Sequence, residues 1–138
     1  MPRRLPANGR NTPDRLYVPN FAFIALHEGE AGRARDLARQ GLQLARSMSN
    51  RLELATALSV LAGALGALGQ PELAARLLSA SERALERLGA FHVPSDRWEI
   101  DDIIAAVHAQ LDDATFQANW EEGHELTLEQ AVAQALDA

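Results

Sequence analysis

Four histidines are the side chains best suited to bind a metal ion or to move a proton. They lie far apart in the sequence, at His27, His92, His108 and His124. No two of them show the His-Glu-x-x-His spacing that places two imidazoles on one face of a zinc-binding helix. Although carboxylates flank His27 and His124, such clusters would chelate a metal only weakly. We therefore expect exposed or partly buried histidines and no metal site.

Two pairs of neighbouring aspartates could supply acid–base or magnesium chemistry. Asp101-Asp102 and Asp112-Asp113 fall near predicted helix starts, where carboxylates cap free N–H groups and interact favourably with the helix dipole. No lysine, activated serine or cofactor loop accompanies them, and the chain contains no cysteine. The absence of cysteine removes thiol catalysis and cysteine-based metal centres. The sequence thus predicts a protein that is not an enzyme, with no catalytic residues and no cofactor.

Three glycines, Gly63, Gly66 and Gly69, lie three residues apart and could be mistaken for a phosphate-binding loop. Such a loop needs free backbone N–H groups at a helix start that follows a strand. Gly63 and Gly66 instead interrupt a run of Ala and Leu that is typical of a helix interior. They predict close packing of another helix, or a shallow groove.

The composition indicates that helices must position any site. The 138 residues correspond to one domain, and 47% are hydrophobic although only 5% are aromatic. The apolar content is mostly Ala and Leu, which favour helices over strands. No apolar run is long enough to cross a bilayer, and the N-terminus lacks an apolar signal segment. We expect an all-α, cytoplasmic protein without a membrane partner.

The charges divide the chain into regions. Residues 1–18 carry four arginines against one aspartate, together with three prolines, which predicts a flexible basic arm. Residues 95–138 carry eleven carboxylates and a single arginine, Arg97. So acidic a region argues against direct binding of nucleic acid.

Apolar spacing and capping residues predict the helices within residues 19–138. Ser95 and Asp112 or Asp113 are the expected N-caps of two late helices, and Gly123 is the expected end of the second. Thr127 and Gln130 have the spacing of a capping box. Trp98, Phe116 and Trp120 are expected in the core. The predicted units are a first hairpin over 19–48, a second over 51–88, a third over 95–123 and a terminal helix over 127–137.

An internal repeat appears when the sequence is aligned with itself at an offset of 40. Ala22 then matches Ala62, and Gly29 matches Gly69. Each unit is a helix, a tight turn at glycine and a second helix, and small residues recur where the two helices must approach. A period of this length is typical of a helical repeat array.

These positions resemble the tetratricopeptide (TPR) family, in its longer bacterial form of about 40 residues. In that family, small residues occupy the middle of the first helix and two sites on the second, and a glycine closes the turn. The aromatic residue usual early in the first helix is absent here, and Leu58 occupies its place in the second unit. The resemblance predicts a right-handed superhelix, an α-solenoid, of about three antiparallel hairpins. Its expected packing residues are Ala22, Gly29, Ala34, Gly41, Ala62, Gly69, Ala74 and Ser81.

The last segment, from Leu111 to Leu136, is similar to the C-terminal end of large bacterial transcriptional regulators and signalling ATPases, in which a TPR array follows an ATPase module. Two functions therefore remain open. The chain is either a protein-interaction module that binds a peptide or helix, or a detached regulatory segment that senses an effector.

The TPR register also implies which residues contact a partner. They would line the concave face formed by the first helix of each unit, namely Phe23, His27, Thr56, Ser59 and Gly63. The first short helix carries Phe21, Ala25 and Leu26, whose exposure would favour a homodimer by burial of apolar surface.

Overall fold

Seven α-helices occupy residues 20–138, the part of the chain that the computed structural model describes. No strand occurs within these residues, which confirms the all-α prediction there. The predicted basic arm over 1–18 lies outside the described residues. The helices are α1 (20–27), α2 (Ala31–Ser47), α3 (Arg51–Ala67), α4 (Pro71–Leu88), α5 (Pro94–Ala109), α6 (Asp113–His124) and α7 (Leu128–Asp137).

Two of the predicted helix starts are confirmed by their capping groups. Asp112 caps α6 by accepting a hydrogen bond from the Thr115 backbone N–H. Thr127 and Gln130 form the predicted capping box at the start of α7. The start predicted at Ser95 was wrong, because α5 begins with Pro94 after Val93. Proline suits the first helical turn, where its missing N–H would have no intrahelical acceptor.

The turns of the first four helices recur at a regular spacing. Left-handed backbone occurs at Gly29, Ser49, Gly69 and Gly89, each twenty residues after the last. After each of these positions, the next backbone N–H bonds to a carbonyl five residues before it, as from Glu30 to Ala25. The bonds Asn50 to Ala45, Gln70 to Leu65 and Ala90 to Leu85 follow the same pattern. The helix-plus-turn unit therefore repeats in the backbone itself, in agreement with the offset of 40.

The helix α3 lies at the centre of the molecule. Every residue from Leu54 to Gly66 is buried except Gly63, which is partly exposed. Because α3 packs against α2, α4, α5 and α7, it has no polar face. Across residues 20–138, no helix has the length and apolar character required to cross a membrane.

The predicted third hairpin differs from the structure, because α5 and α6 make few contacts along their lengths. Instead α6 packs against α4. The predicted helix end at Gly123 was wrong as well, because α6 continues to His124. Gly123 is buried against the backbone of Arg76, where a Cβ atom would overlap the Arg76 carbonyl. Its lack of a side chain thus serves this close approach between helices rather than a turn.

The terminal helix α7 packs back onto the earlier helices. It contacts α3 and α4, and the Arg39 guanidinium on α2 donates to the Leu136 carbonyl at 3.0 Å. Its buried face consists of Leu128, Ala131, Val132 and Ala135. The last three helices therefore do not extend the regular pattern of the first four.

Candidate functional site

The candidate site is a groove where α1, α3 and α5 meet, called here the α1–α3–α5 groove. Its volume is about 240 Å³. Helices α1 and α5 supply its two walls, and α3 supplies its floor. The groove is lined by Phe23, Leu26, His27, Gly63, Ala67, Glu99, Asp102, Ile103, Ala106, Val107 and Gln110.

The floor of the groove depends on two glycines of α3. Ile103 packs against Gly63 so closely that a Cβ there would lie 3.0 Å from the Ile103 side chain. Val107, one turn later on α5, packs against Gly66 in the same way. Because residues four apart share one helix face, the side chains of Ile103 and Val107 both pack on α3, each where a glycine leaves room for it. The glycines serve helix packing and the groove floor, and they lie inside α3, where no phosphate loop can form.

The rim of the groove is polar and acidic. The His27 ring Nε2–H donates to the Glu99 carboxylate at 2.6 Å, joining the end of α1 to the first half of α5. Both side chains are substantially exposed, so the pair contributes little stability. Asp102 lies one turn beyond Glu99 and has no ion-pair partner within residues 20–138. The rim thus presents negative charge beside an apolar floor.

The structure brings together three of the five residues predicted to contact a partner. Phe23, His27 and Gly63 all line the groove. Thr56 and Ser59 do not, and both are buried. The Thr56 hydroxyl donates to the Leu52 carbonyl and lies 3.3 Å from the His92 ring. Ser59 has no exposed surface and its hydroxyl lies 2.8 Å from that of Ser81 on α4. Both positions are therefore closed to a partner.

The residues predicted to pack the repeat lie at two kinds of position. Gly29 and Gly69 are exposed turn residues with positive φ. The other six are buried on α1–α4, and Ser81 donates a hydrogen bond to the Ala55 carbonyl of the neighbouring helix. Those six are Ala22, Ala34, Gly41, Ala62, Ala74 and Ser81.

The apolar face predicted to form a homodimer is only partly open. Ala25 is buried and Leu26 packs against the core, whereas Phe21 is half exposed. The prediction that Trp98 lies in the core was wrong, because its side chain is 70% exposed. Phe116 is buried, and its ring packs at 5.4 Å from the partly buried Trp120.

The histidines and aspartates form no metal-binding cluster within residues 20–138. His27 is engaged by Glu99, as described above, and His108 lies 2.9 Å from the Asp113 carboxylate. Asp112 is occupied as an N-cap, and its hydrogen bonds from the backbone and side chain of Thr115 lower the pKa of its carboxyl group. These contacts give His27, His108 and Asp112 structural roles.

The α5 wall of the groove was missed by the sequence analysis. None of Glu99, Ile103 and Val107 was named there as part of a site. The useful signal was the match between two spacings: glycines three apart on α3 and branched residues four apart on α5. Small residues on one helix form a surface into which large residues on another helix can pack. The sequence does not show which two helices meet, so this match could not be assigned to α3 and α5.

Comparisons with models of known families, with curated proteins and with solved structures returned no significant match. The resemblances to TPR proteins and to the C-terminal ends of bacterial regulators therefore stay predictions.

Proposed function

We propose that the chain is a protein-interaction module built on a TPR-like array of helical hairpins, and that it binds a peptide or helix of a partner protein in the α1–α3–α5 groove. The observation that carries the proposal is the groove itself. Alternate helices contribute its two walls, and two glycines of the helix between them keep the floor low.

The regular turns support the repeat part of this proposal. Four left-handed residues spaced by twenty direct α1–α4 into successive antiparallel positions. In such an array the first helix of each unit lies on a shared concave surface, and α1, α3 and α5 are those helices. A right-handed superhelix follows from the same register as part of the proposal.

The lining indicates the chemistry of the partner. Ile103, Val107 and Phe23 offer apolar contacts, while Glu99 and Asp102 place carboxylates on the rim. An amphipathic partner helix with an apolar side chain flanked by arginine or lysine would fit both parts, since grooves of this type recognise apolar anchors at helical spacing. The volume of about 240 Å³ suits one or two side chains rather than a whole small-molecule ligand.

The test is a selection from a library of displayed helical peptides, followed by binding measurements on purified protein. Ala106→Trp fills the groove from an exposed position of α5, and Ala105→Trp places the same side chain on the neighbouring, non-lining position. Because neither alanine is buried, both variants are expected to fold.

We expect the selected peptides to be basic and amphipathic, to lose at least about tenfold in affinity for Ala106→Trp and to bind Ala105→Trp normally. Peptides that bind both variants equally, or a selection that yields no binder, would overturn the proposal.

A further inference from the structure

A second groove lies between the end of α4 and the start of α5, and it is separate from the α1–α3–α5 groove. It is called here the Phe91–Trp98 groove, and its volume is about 640 Å³. Phe91 is 87% exposed and Trp98 is 70% exposed. Large apolar side chains so open to water, close together at one place, are typical of an interaction surface.

The polar groups of this groove centre on His92, whose side chain is more than nine-tenths buried. The Thr56 hydroxyl already donates to the Leu52 carbonyl, so its oxygen must accept from the His92 Nδ1–H at 3.3 Å. Burial lowers the pKa of His92 below its ordinary 6.5, so the ring is neutral at pH 7. Its Nε2 is therefore an acceptor, which is covered by neighbouring atoms and has no hydrogen-bond partner within residues 20–138.

The group that would pair with the His92 Nε2 acceptor is an N–H or O–H donor. A buried polar atom without a partner costs more than an ordinary hydrogen bond contributes. The walls around it are apolar: Phe91, Trp98, Pro94 and Leu85 all line the groove. Tyrosine and tryptophan combine an apolar ring with one donor at its tip, and such side chains are enriched where one end is dry and the other polar.

The charges near the groove indicate which residues should flank the partner's aromatic side chain. Glu82 and Glu86 line the groove, and Asp96 lies close enough to His92 to act on its charge. Arg97 is the cation that lines the groove, and it is held by Glu82 at 3.0 Å and Asp101 at 2.9 Å. Glu86 is paired in turn with Arg83 at 3.2 Å. With Asp96 and Asp101 included, four carboxylates surround two guanidinium groups at the groove, so a basic segment is the complementary partner.

We propose that the Phe91–Trp98 groove binds a tyrosine or tryptophan side chain of a partner protein, flanked by arginine or lysine. On binding, that ring displaces the side chains that cover His92 Nε2, so that its donor bonds to this atom. This site is independent of the proposed function of the α1–α3–α5 groove, and Ala106→Trp should leave it unchanged.

The test is a nuclear magnetic resonance titration of the ¹⁵N-labelled full chain with three capped tripeptides: Arg-Tyr-Arg, Arg-Phe-Arg and Glu-Tyr-Glu. Arg-Tyr-Arg should shift the resonances of the groove residues and the His92 Nε2 resonance. Arg-Phe-Arg lacks the donor and should bind about fivefold more weakly, the effect of losing one hydrogen bond. Glu-Tyr-Glu should bind more weakly still if the carboxylates select the partner.

Trp98→Ala should weaken Arg-Tyr-Arg binding by about tenfold through loss of aromatic contact. Leu68→Ala, a matched exposed apolar residue at the α3–α4 turn, should leave binding unchanged. Equal binding of the tyrosine and phenylalanine peptides would overturn the role of His92. Shifts outside the groove, or no binding, would overturn the site.

Two other occupants give distinct results, each of which would overturn the proposal. Groove resonances that move with protein concentration in the absence of peptide would assign the groove to a second copy of the chain. Nuclear Overhauser contacts from Trp98 to Tyr17 in the peptide-free protein would assign it to the chain's own N-terminal residues.

Discussion

The first four helices and the last three are positioned by different means. In α1–α4, each helix is followed by a left-handed residue at a constant period of twenty, and α2, α3 and α4 each begin two residues after one. In α5–α7, the period is lost, and positions depend on contacts with distant helices: α5 on the α3 glycines, α6 on α4, and α7 on α3 and α4. Local turn geometry therefore determines one part of the fold, and tertiary packing determines the other.

This difference has a functional consequence, because the α1–α3–α5 groove requires both parts. The α1 and α3 surfaces come from the periodic region, while the acidic wall comes from α5. Changes that displace the last three helices should therefore remove the groove without destroying the helices of the first region.

The largest expected effect is at Gly123, where α6 approaches the α4 backbone. Gly123→Ala would place a Cβ atom against the Arg76 carbonyl, and the backbone cannot yield as a flexible side chain can. We expect a loss of roughly 3 kcal/mol or more in the free energy of unfolding, measured by urea denaturation.

The matched control is Gly32→Ala in α2, a position with no atom within 4 Å of the added Cβ. Alanine favours a helix over glycine, so this variant should gain up to about 1 kcal/mol. A mild effect at Gly123 would show that α6 does not press against α4 as described.

A smaller effect is expected at Ala62, in the periodic region. The residue has no exposed surface, so Ala62→Leu should destabilise by about 1–3 kcal/mol through overpacking. Ala105→Leu on the exposed side of α5 is the control and should change thermal stability little. If both variants melt alike, the helix register that buries Ala62 is incorrect.

The turn glycines, Gly123 and Trp98 show how much of the structure the sequence predicts. Gly29 and Gly69 were identified as turns because they follow apolar runs and recur at an offset of 40, and both have positive φ. Gly123 was expected to end a helix too, but its role depends on Arg76, which is 47 residues away and carries no matching local signal. Trp98 was expected in the core at the end of the array, yet its exposure is decided by which helices meet. The same limit hid the α5 wall of the groove.

The stability of the α4–α5 connection should depend on pH through His92. Burial lowers the pKa of His92 in the folded protein below 6.5, its ordinary value. As the pH falls below 6.5, the unfolded chain takes up a proton before the folded protein does, so stability decreases on acidification. The slope is at most about 1.4 kcal/mol per pH unit for one proton.

Urea denaturation of the parent protein and of His92→Gln at pH 7 and pH 5.5 measures this contribution. Between pH 7 and pH 5.5, the free energy of unfolding should decrease more for the parent protein than for His92→Gln. An unchanged difference would mean that His92 titrates alike in both states.

The smallest expected effect concerns the ion pair that joins α7 to α3. The Arg51 guanidinium donates to the Glu129 carboxylate at 2.6 Å and lowers the pKa of that carboxyl group below its ordinary value. Both side chains are largely exposed, so Glu129→Gln should cost less than about 1 kcal/mol. The difference in melting temperature should shrink in 1 M salt, where the screening length falls to about 3 Å. A larger, salt-independent loss would show that α7 depends on this contact more than on its apolar face.

If α1 and α5 enclose an open binding groove over α3, a crosslink between these two helices should block it. The chain has no cysteine, so His27→Cys with Glu99→Cys introduces one unique thiol pair at the contact that joins the two helices. A short bismaleimide should join the two thiols within one chain, and because both positions line the groove its linker should block the rim and abolish binding of the peptides selected on the groove. The uncrosslinked double variant lacks the Glu99 carboxylate but keeps Asp102, so it should bind the peptides with reduced affinity. Failure of the thiols to crosslink would contradict the geometry, and full peptide binding by the crosslinked protein would contradict the assignment of function to this groove.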